Sequence, residues 1–269
     1  MCRLLRAAAA AVALTPAAGR AQHHEHEHDH GQIHSHRGPG PHFIDAFYTE
    51  NAYFERKVRP DYFYSTGEDG ERSTARLEVE WALRRGFSLV VHAPAHHVAL
   101  EGGSAHTGVG DVTIGPKFAI VNDRRSFILA TGADVTLPTG SAARGLDQGR
   151  WAAAPFVLAW VPFGHGRRWL AQAALHADVP LERDGETHGE FGAALSWTSP
   201  LGVTPIVEWI AEVPLEGGES PSWAVAPGVR WEFAESWELG ASIRVALGRP
   251  REEDLRIGVG LIRHFAVPR

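Results

Sequence analysis

Trp169-Leu170-Ala171-Gln172-Ala173-Ala174-Leu175-His176-Ala177-Asp178-Val179-Pro180-Leu181-Glu182 is the stretch that decides the fold. Every odd position is apolar, while Gln172, His176, Asp178 and Glu182 all fall on even positions. Successive side chains of an extended chain point to opposite faces, so a period of two means a strand with one apolar and one polar face. An amphipathic helix would instead repeat its apolar residues every third or fourth place.

The same alternation runs outward in both directions. It covers residues 76–84, 87–94, 112–120 and 127–137 before this stretch, and 191–197, 203–213, 223–233, 237–247 and 255–265 after it. A weaker strand is expected at 58–65. Residues 151–163 differ in being apolar on both faces. The total is twelve strands. Their connections alternate in length: tight turns at 85–86, 122–125, 164–166, 199–202 and 235–236, and longer Gly-, Ser- and charge-rich loops at 67–71, 101–108, 140–149, 183–187, 216–221 and 248–253. Short turns at one end and long loops at the other predict an all-β, transmembrane, antiparallel up-and-down barrel of about 12 strands, with both termini on the short-turn side.

A soluble β-sandwich also alternates. Three features favour the membrane barrel. The alternation persists through long successive strands. Aromatic residues gather near the short turns, among them Trp81, Trp160, Trp169, Trp197, Trp231 and Trp237, as in an interfacial girdle. The last strand ends on Phe265, like the C-terminal signal of outer-membrane proteins, although Ala266 to Arg269 follow it. Pro116, Pro155, Pro205 and Pro227 sit awkwardly in strands, since proline lacks a ladder donor, and predict bulges or weakened pairing.

Residues 1–21 read as a secretory signal peptide: Arg3 and Arg6 precede the apolar run Ala7 to Leu14, and Gly19-Arg20-Ala21 offers a cleavage site. The run is too short to span a bilayer as a helix. Cys2 is the only cysteine and lies in this leader, so disulfides, cysteine metal sites and thiol catalysis are excluded from the mature chain. Cleavage leaves 23 basic against 32 acidic residues. That balance excludes a basic nucleic-acid surface. Residues 22–42 read as a disordered, histidine-rich segment, residues 43–57 as a periplasmic lead-in that is either a short helix or irregular, and residues 58–265 as the barrel.

Gly108-Val109-Gly110-Asp111-Val112-Thr113-Ile114-Gly115-Pro116-Lys117-Phe118, followed by Leu137-Pro138-Thr139-Gly140, resembles the outer-membrane barrel family known as MetA-pathway of phenol degradation, or transporter-like. The pattern is Gly-x-Gly-Asp, a glycine with a lysine-aromatic pair, then Leu-Pro-Thr-Gly. The resemblance extends over most of residues 70–265 and implies an outer-membrane barrel with a transporter-like role; it carries over no catalytic residue. From the residues themselves, Gly108 and Gly110 let the chain leave a loop, and Asp111 and Lys117 point to the lumen.

Two groups of residues could carry chemistry. His23, His24, His26, His28, His30, His34 and His36, with Glu25, Glu27 and Asp29, form an adaptable set of ligands for Zn²⁺, Cu²⁺ or Ni²⁺. The second group lies on the polar phase of the strands, where it would line the lumen: Glu78, Glu80, His92, Lys117, Asp134, His176, Asp178, Glu208, Glu212, Arg230, Arg244 and Arg256, together with Arg76, Glu190 and Glu232. Their mixed signs suggest internal ion pairs and a narrow or partly blocked lumen. No enzyme is expected: Asp134, His176 and Ser196 have the residue types of a triad, but their spacing does not bring them together. His92, His96, His97 and His106 fall toward one long loop, best read as solvated. The expected function is a pore or transporter-like barrel for small solutes, with a metal-binding tail in the periplasm and no required cofactor. The alternative is a metal-binding or resistance protein anchored by its barrel. Expected partners are outer-membrane lipids, the barrel-assembly machinery and metal ions.

Overall fold

A computed structural model describes residues 42–68, 70–100, 103, 105–182, 185–216, 220–248 and 253–266. The signal peptide and the seven tail histidines lie outside the described residues. Thirteen strands run in chain order: β1 Arg56–Gly67, β2 Gly70–Arg84, β3 Phe87–Leu100, β4 Ala105–Val109, β5 Val112–Asp123, β6 Phe127–Leu137, β7 Ala152–Phe163, β8 Trp169–Pro180, β9 His188–Trp197, β10 Val203–Pro214, β11 Ser222–Ala234, β12 Trp237–Leu247 and β13 Leu255–Phe265. Both β4 and β5 pair with β3, so the two form one stave of the wall, interrupted at Gly110-Asp111. The result is twelve staves. β1 pairs with β13 on one side and β2 on the other, and β2 with β3, which closes the antiparallel sheet on itself.

Closure leaves an edge only at the short β4, which pairs with β3 alone, and the polarity is inverted relative to a soluble protein. Leu175 points outward and is 57% exposed, while Lys57 points inward and is fully buried. Leu77, Ile114, Val157, Trp209 and Val259 are likewise exposed on the outer face. An exposed apolar band on a sheet closed by backbone ladders matches a hydrocarbon environment. A sandwich would reverse both features.

Rings near the short turns form the expected belt: Trp81 lies 5.9 Å from Phe265, Phe163 6.3 Å from Trp169, Trp169 6.5 Å from Trp197, and Trp231 5.7 Å from Phe233. Trp160 is a correction. It occupies an inward position on β7 and is fully buried inside the barrel. The loop expected at 101–108 is also shorter than read, because Ala105–Val109 continues the β3 hairpin.

The prolines weaken pairing without bulging the chain. The β7–β8 ladder skips Pro155, the β9–β10 ladder begins only after Pro205, and the β11–β12 ladder skips Pro227. The β5–β6 ladder skips Gly115 and Pro116. Register shifts fall elsewhere, between Ala82/Arg84, Ala119/Val121 and Glu232/Ala234, all beside short turns.

The lead-in expected outside the barrel at 43–57 lies inside it, and its last two residues already belong to β1. Ile44, Asp45, Ala46, Phe47, Ala52 and Tyr53 are almost wholly buried. The physical reason is the inner wall. Ile128, Ala130, Phe156, Leu158, Trp160 and Leu170 all face inward and cannot face water at no cost, so they pack with Ile44, Ala46, Ala52, Tyr53 and Phe54 in one apolar cluster. Phe43 stacks on Trp160 at 4.8 Å. The double apolar face of residues 151–163 thus has one side for the outer environment and one for this plug.

Candidate functional site

The plug, residues 42–55, has no regular secondary structure, so its backbone polar groups must find partners on the wall. Glu208 of β10 accepts the amides of Phe47, Tyr48 and Thr49 at 2.8, 2.9 and 2.7 Å. Arg230 of β11 donates to the carbonyl of Asp45 at 2.8 Å, and Arg59 of β1 to that of Ala46 at 2.8 Å. Gln172 of β8 donates to the carbonyl of Ile44, and Lys117 of β5 to that of Asn51. The Arg230 guanidinium stands 3.8 Å from the Phe47 ring centre. Gly240 makes room for this pair, since a Cβ there would lie 2.7 Å from Phe47 and 2.6 Å from Arg230.

The plug enters and leaves at the short-turn mouth. Phe43 lies under Arg124 of the β5–β6 turn, and the Glu55 carbonyl accepts the amide of Ala82 near the β2–β3 turn. Its apex, Phe47 to Glu50, reaches mid-lumen. Lys57 fastens the return limb, 2.5 Å from Asp45, 3.0 Å from Glu55 and 2.9 Å from Glu78. Burial pushes the Asp45 carboxyl up, but Lys57 and Arg59 outweigh it and hold the group below its ordinary value. Asp45, Glu55 and His264 offer donor atoms within 4.8 Å of one another, close enough for a metal. The Lys57 ammonium already serves Asp45 and Glu55 as a fixed cation, and His264 is held by Glu55 at 3.0 Å and Glu238 at 2.7 Å. This cluster is a structural ion-pair network.

The polar-phase residues take three levels. Glu78, Glu80, Lys117, Glu208 and Arg230 are buried beside the plug. His92, Asp134 and His176 are half-buried around a chamber of about 250 Å³ above its apex, with Glu50 and Glu190. Nearer the long loops, Arg244 pairs with Glu212 and Glu253 at 3.3 Å each, and Arg256 also pairs with Glu253. Asp178 is half-buried at the same level of β8. Burial raises the Glu50 carboxyl, with Lys117 and His92 opposing. Ser196 pairs across from Leu170 at the short-turn end of β9, whereas His176 pairs with Glu190 at the other end. Six residues of strand separate Ser196 from Glu190, roughly 20 Å, so no triad forms.

Lys57, Arg59 and Asp61 were absent from the expected lumen residues. Their signal was present, as charges alternating with Val58, Pro60 and Tyr62 in the weakest strand.

The Gly-x-Gly-Asp and Leu-Pro-Thr-Gly residues build a loop latch. Asp111 accepts the amides of Gly140 and Gly149, at the two ends of the β6–β7 loop, at 2.7 and 2.8 Å. Asp147 of that loop accepts the Asp111 amide at 2.8 Å and lies 3.4 Å from His96, while Thr139 donates to the Gly110 carbonyl at 2.6 Å. Burial pushes Asp147 up, and His96 and the Asp111 amide outweigh that and lower it. A Cβ on Gly110 would collide with His96 and Asp147, so only glycine fits. Lys117, in the same motif, reaches the plug; Asp111 turns to the loop. His92 faces the chamber, His96 the latch, and His97 bonds Thr107 on the outer side at 2.7 Å, so strand alternation sets His97 apart from the other two. Charge-assisted hydrogen bonds contribute about 1.5–3 kcal/mol each. Asp111→Ala should therefore free the loop and speed tryptic cleavage after exposed Arg144 at least about tenfold, with the barrel's heat-modifiable gel migration unchanged. Unchanged cleavage would remove the latch.

A closed twelve-stave barrel with an apolar exterior and a charged, plugged lumen has the architecture of outer-membrane channels. A family model described as "Putative MetA-pathway of phenol degradation" matches residues 66–251, more than half of the chain. The chain belongs to that family. No curated protein matches its sequence. Among solved structures it is similar to the COG4313 outer membrane channel from Pseudomonas putida F1, at 15% identity over 83% of this chain and 100% of that chain, with a TM-score of 0.62. It is also similar to the KdgM porin (11% identity, 78% of this chain, 99% of that chain, TM-score 0.55) and the NanC porin (10%, 78%, 100%, 0.58). At these identities the likeness is one of fold.

Proposed function

We propose that the protein is a gated outer-membrane channel for small solutes, with a preference for cations, closed in this state by its own residues 42–55. The observation that carries the reading is the way the plug is held. It enters from one mouth only, with both ends there, and its apex hangs on the single carboxylate of Glu208. Such an insert can withdraw without unthreading the wall. The chamber above it supports the cation preference: among the described residues, no Lys or Arg lies within 4.0 Å of Glu50, Asp134 or Glu190. Carboxylates without a directly paired Lys or Arg in a low-dielectric lumen attract cations and repel anions. In a KCl gradient across a planar bilayer, the reversal potential should take the sign of K⁺ selectivity. An anion-selective potential, or no conductance when the plug contacts are removed, would sink the reading.

The short turns of periplasmic-facing barrel ends support an orientation with the histidine segment 23–36 in the periplasm, where clustered imidazoles suit Zn²⁺, Cu²⁺ or Ni²⁺. The outward-facing Phe265 at the end of β13 suits recognition by the barrel-assembly machinery. A second reading, a metal-handling protein anchored by its barrel, is favoured by the fullness of the lumen. A strain lacking only residues 23–36 decides between them: unchanged metal tolerance disfavours the second.

A further inference from the structure

The outer face of the wall carries a groove that the channel reading does not use. It is a cavity of about 360 Å³ over β8, β9 and β10, lined by Trp169, Leu195, Trp197, Pro205, Ile206 and Val207. It lies at a weak seam of the wall. Trp197 pairs with Trp169 on one side, but on the other the β9–β10 ladder begins only at Ser196 and Ile206. Pro205 has no donor to extend it.

Toward mid-bilayer from the two tryptophans, the outward-facing residues become small. Ala159, Ala173 and Ala193 form one rung across β7, β8 and β9, and Ala171 stands between that rung and Trp169. Leu175, paired with Phe191, then restores bulk to the outer face. A shallow trench therefore continues the groove. From Trp197 to Phe191 the strand runs six residues, roughly 20 Å. At a strand tilt of about 40° that is a depth of about 15 Å, one leaflet of the hydrocarbon core.

The short-turn end of the trench is basic. Arg168 precedes Trp169, and one of its five N–H donors reaches the Thr198 carbonyl at 3.1 Å. The guanidinium thus bridges β8 and β9 one residue beyond the tryptophan rung, where the two rings stand 6.5 Å apart. Arg167 beside it is exposed, and neither turn 164–168 nor turn 198–202 contains an acidic residue. Tryptophan rings of a girdle sit at headgroup depth, so a guanidinium one step beyond them meets phosphate, not hydrocarbon.

We propose that this groove binds one anionic glycerophospholipid. Its phosphate lies on Arg168, with Arg167 adding positive charge, and one acyl chain lies along Trp169, Trp197 and the alanine trench. Arginine is suited to this role because its planar fork matches phosphate oxygens in pairs. In the orientation proposed above, the groove opens to the periplasmic leaflet, which is built of glycerophospholipid. The inner side of the same staves carries Leu170, Ala194 and Ile206, which pack in the plug's apolar cluster. The lipid thus braces from outside the part of the wall that grips the plug from within. The site needs only the membrane barrel and stands or falls apart from the gating reading.

The test reads lipid retention by native mass spectrometry. The full chain, in detergent, is equilibrated with equal amounts of phosphatidylglycerol and phosphatidylcholine of the same acyl chains. One phosphatidylglycerol per chain should remain in preference to phosphatidylcholine. Arg168→Gln should cut that preference about fivefold, the effect of one basic residue near an anionic surface. Ala193→Leu fills the trench and should lower retention of both lipids. Arg263→Gln, elsewhere on the rim beside Trp237 and Phe265, should change neither. Equal retention of the two lipids overturns the proposal. A loss in Arg263→Gln as large as that in Arg168→Gln does so too, because it means diffuse attraction to a basic rim. Tighter retention of lipid A than of phosphatidylglycerol overturns the choice of lipid. Heat-modifiable migration verifies folding, and if Arg168→Gln fails to fold, unchanged retention in Ala193→Leu overturns the site.

Discussion

Glu208→Ala should convert a mostly closed channel into a mostly open one. Its carboxylate is 1% exposed and is the sole acceptor for three consecutive plug amides. Removing it strands those N–H groups in the lumen, where each unpaired donor costs about 1–3 kcal/mol. The amides regain partners only by reaching water, so the plug apex leaves. A total of about 3–5 kcal/mol corresponds to a shift in the seated-to-withdrawn ratio of roughly a hundredfold to several thousandfold. The wall keeps all its ladder bonds, so heat-modifiable migration is expected to stay as in the parent. Single-channel recording should show the open probability rising from rare events to most of the record. A variant that folds and stays closed would mean that the apex is held by the apolar cluster, not by Glu208.

Lys57→Met has an effect of similar size and a distinct pH signature. The ammonium is fully buried and bridges Asp45, Glu55 and Glu78. Breaking a buried network by removing one partner costs about 3–5 kcal/mol, because the remaining charges are left uncompensated. At neutral pH the variant should therefore conduct persistently. In the parent, Asp45 in the seated plug is depressed, so its contribution is present above its free value and is lost as pH falls through the depressed one. Acid below about pH 4 loosens the parent's plug. In the variant, burial with the Lys57 ammonium gone raises the Asp45 carboxyl in the seated state relative to the parent. Its neutral form then favours seating below the free value, and that stability disappears as pH rises through the raised one. Conductance should rise with acid in the parent and fall with acid in Lys57→Met. Parallel responses would refute the role assigned to Lys57.

The wall was legible because its rule is local. Two-residue alternation needs no partner to be read, and the strand at Phe127–Leu137 matches its sequence limits residue for residue. The plug was not legible as a plug, since residues 42–55 carry no period and owe their shape to the lumen around them. Its mark lay on the far side of the contact, in residues 151–163, whose second apolar face has no reason to exist in a water-filled barrel. Trp160 was misplaced for the same cause: a ring near a short turn reads as girdle until something inside is known to need it. The Asp111 latch shows a different limit. The motif was visible, but its partners Gly149 and Asp147 lie 36 or more residues away, and no spacing rule joins them.

The bridge from Glu55 through His264 to Glu238 joins chain ends that are 209 residues apart in sequence. Bringing such ends together costs roughly 5 kcal/mol of chain entropy, and it comes late in folding, when most hairpins are already formed. The first and last strands must meet at the place where the insert turns into the wall. The last ladder to zip thus carries a lock whose two halves lie at the start of the first strand and in the last strand of the wall. A chain truncated within β13 would lack His264 and face that entropy without the bridge.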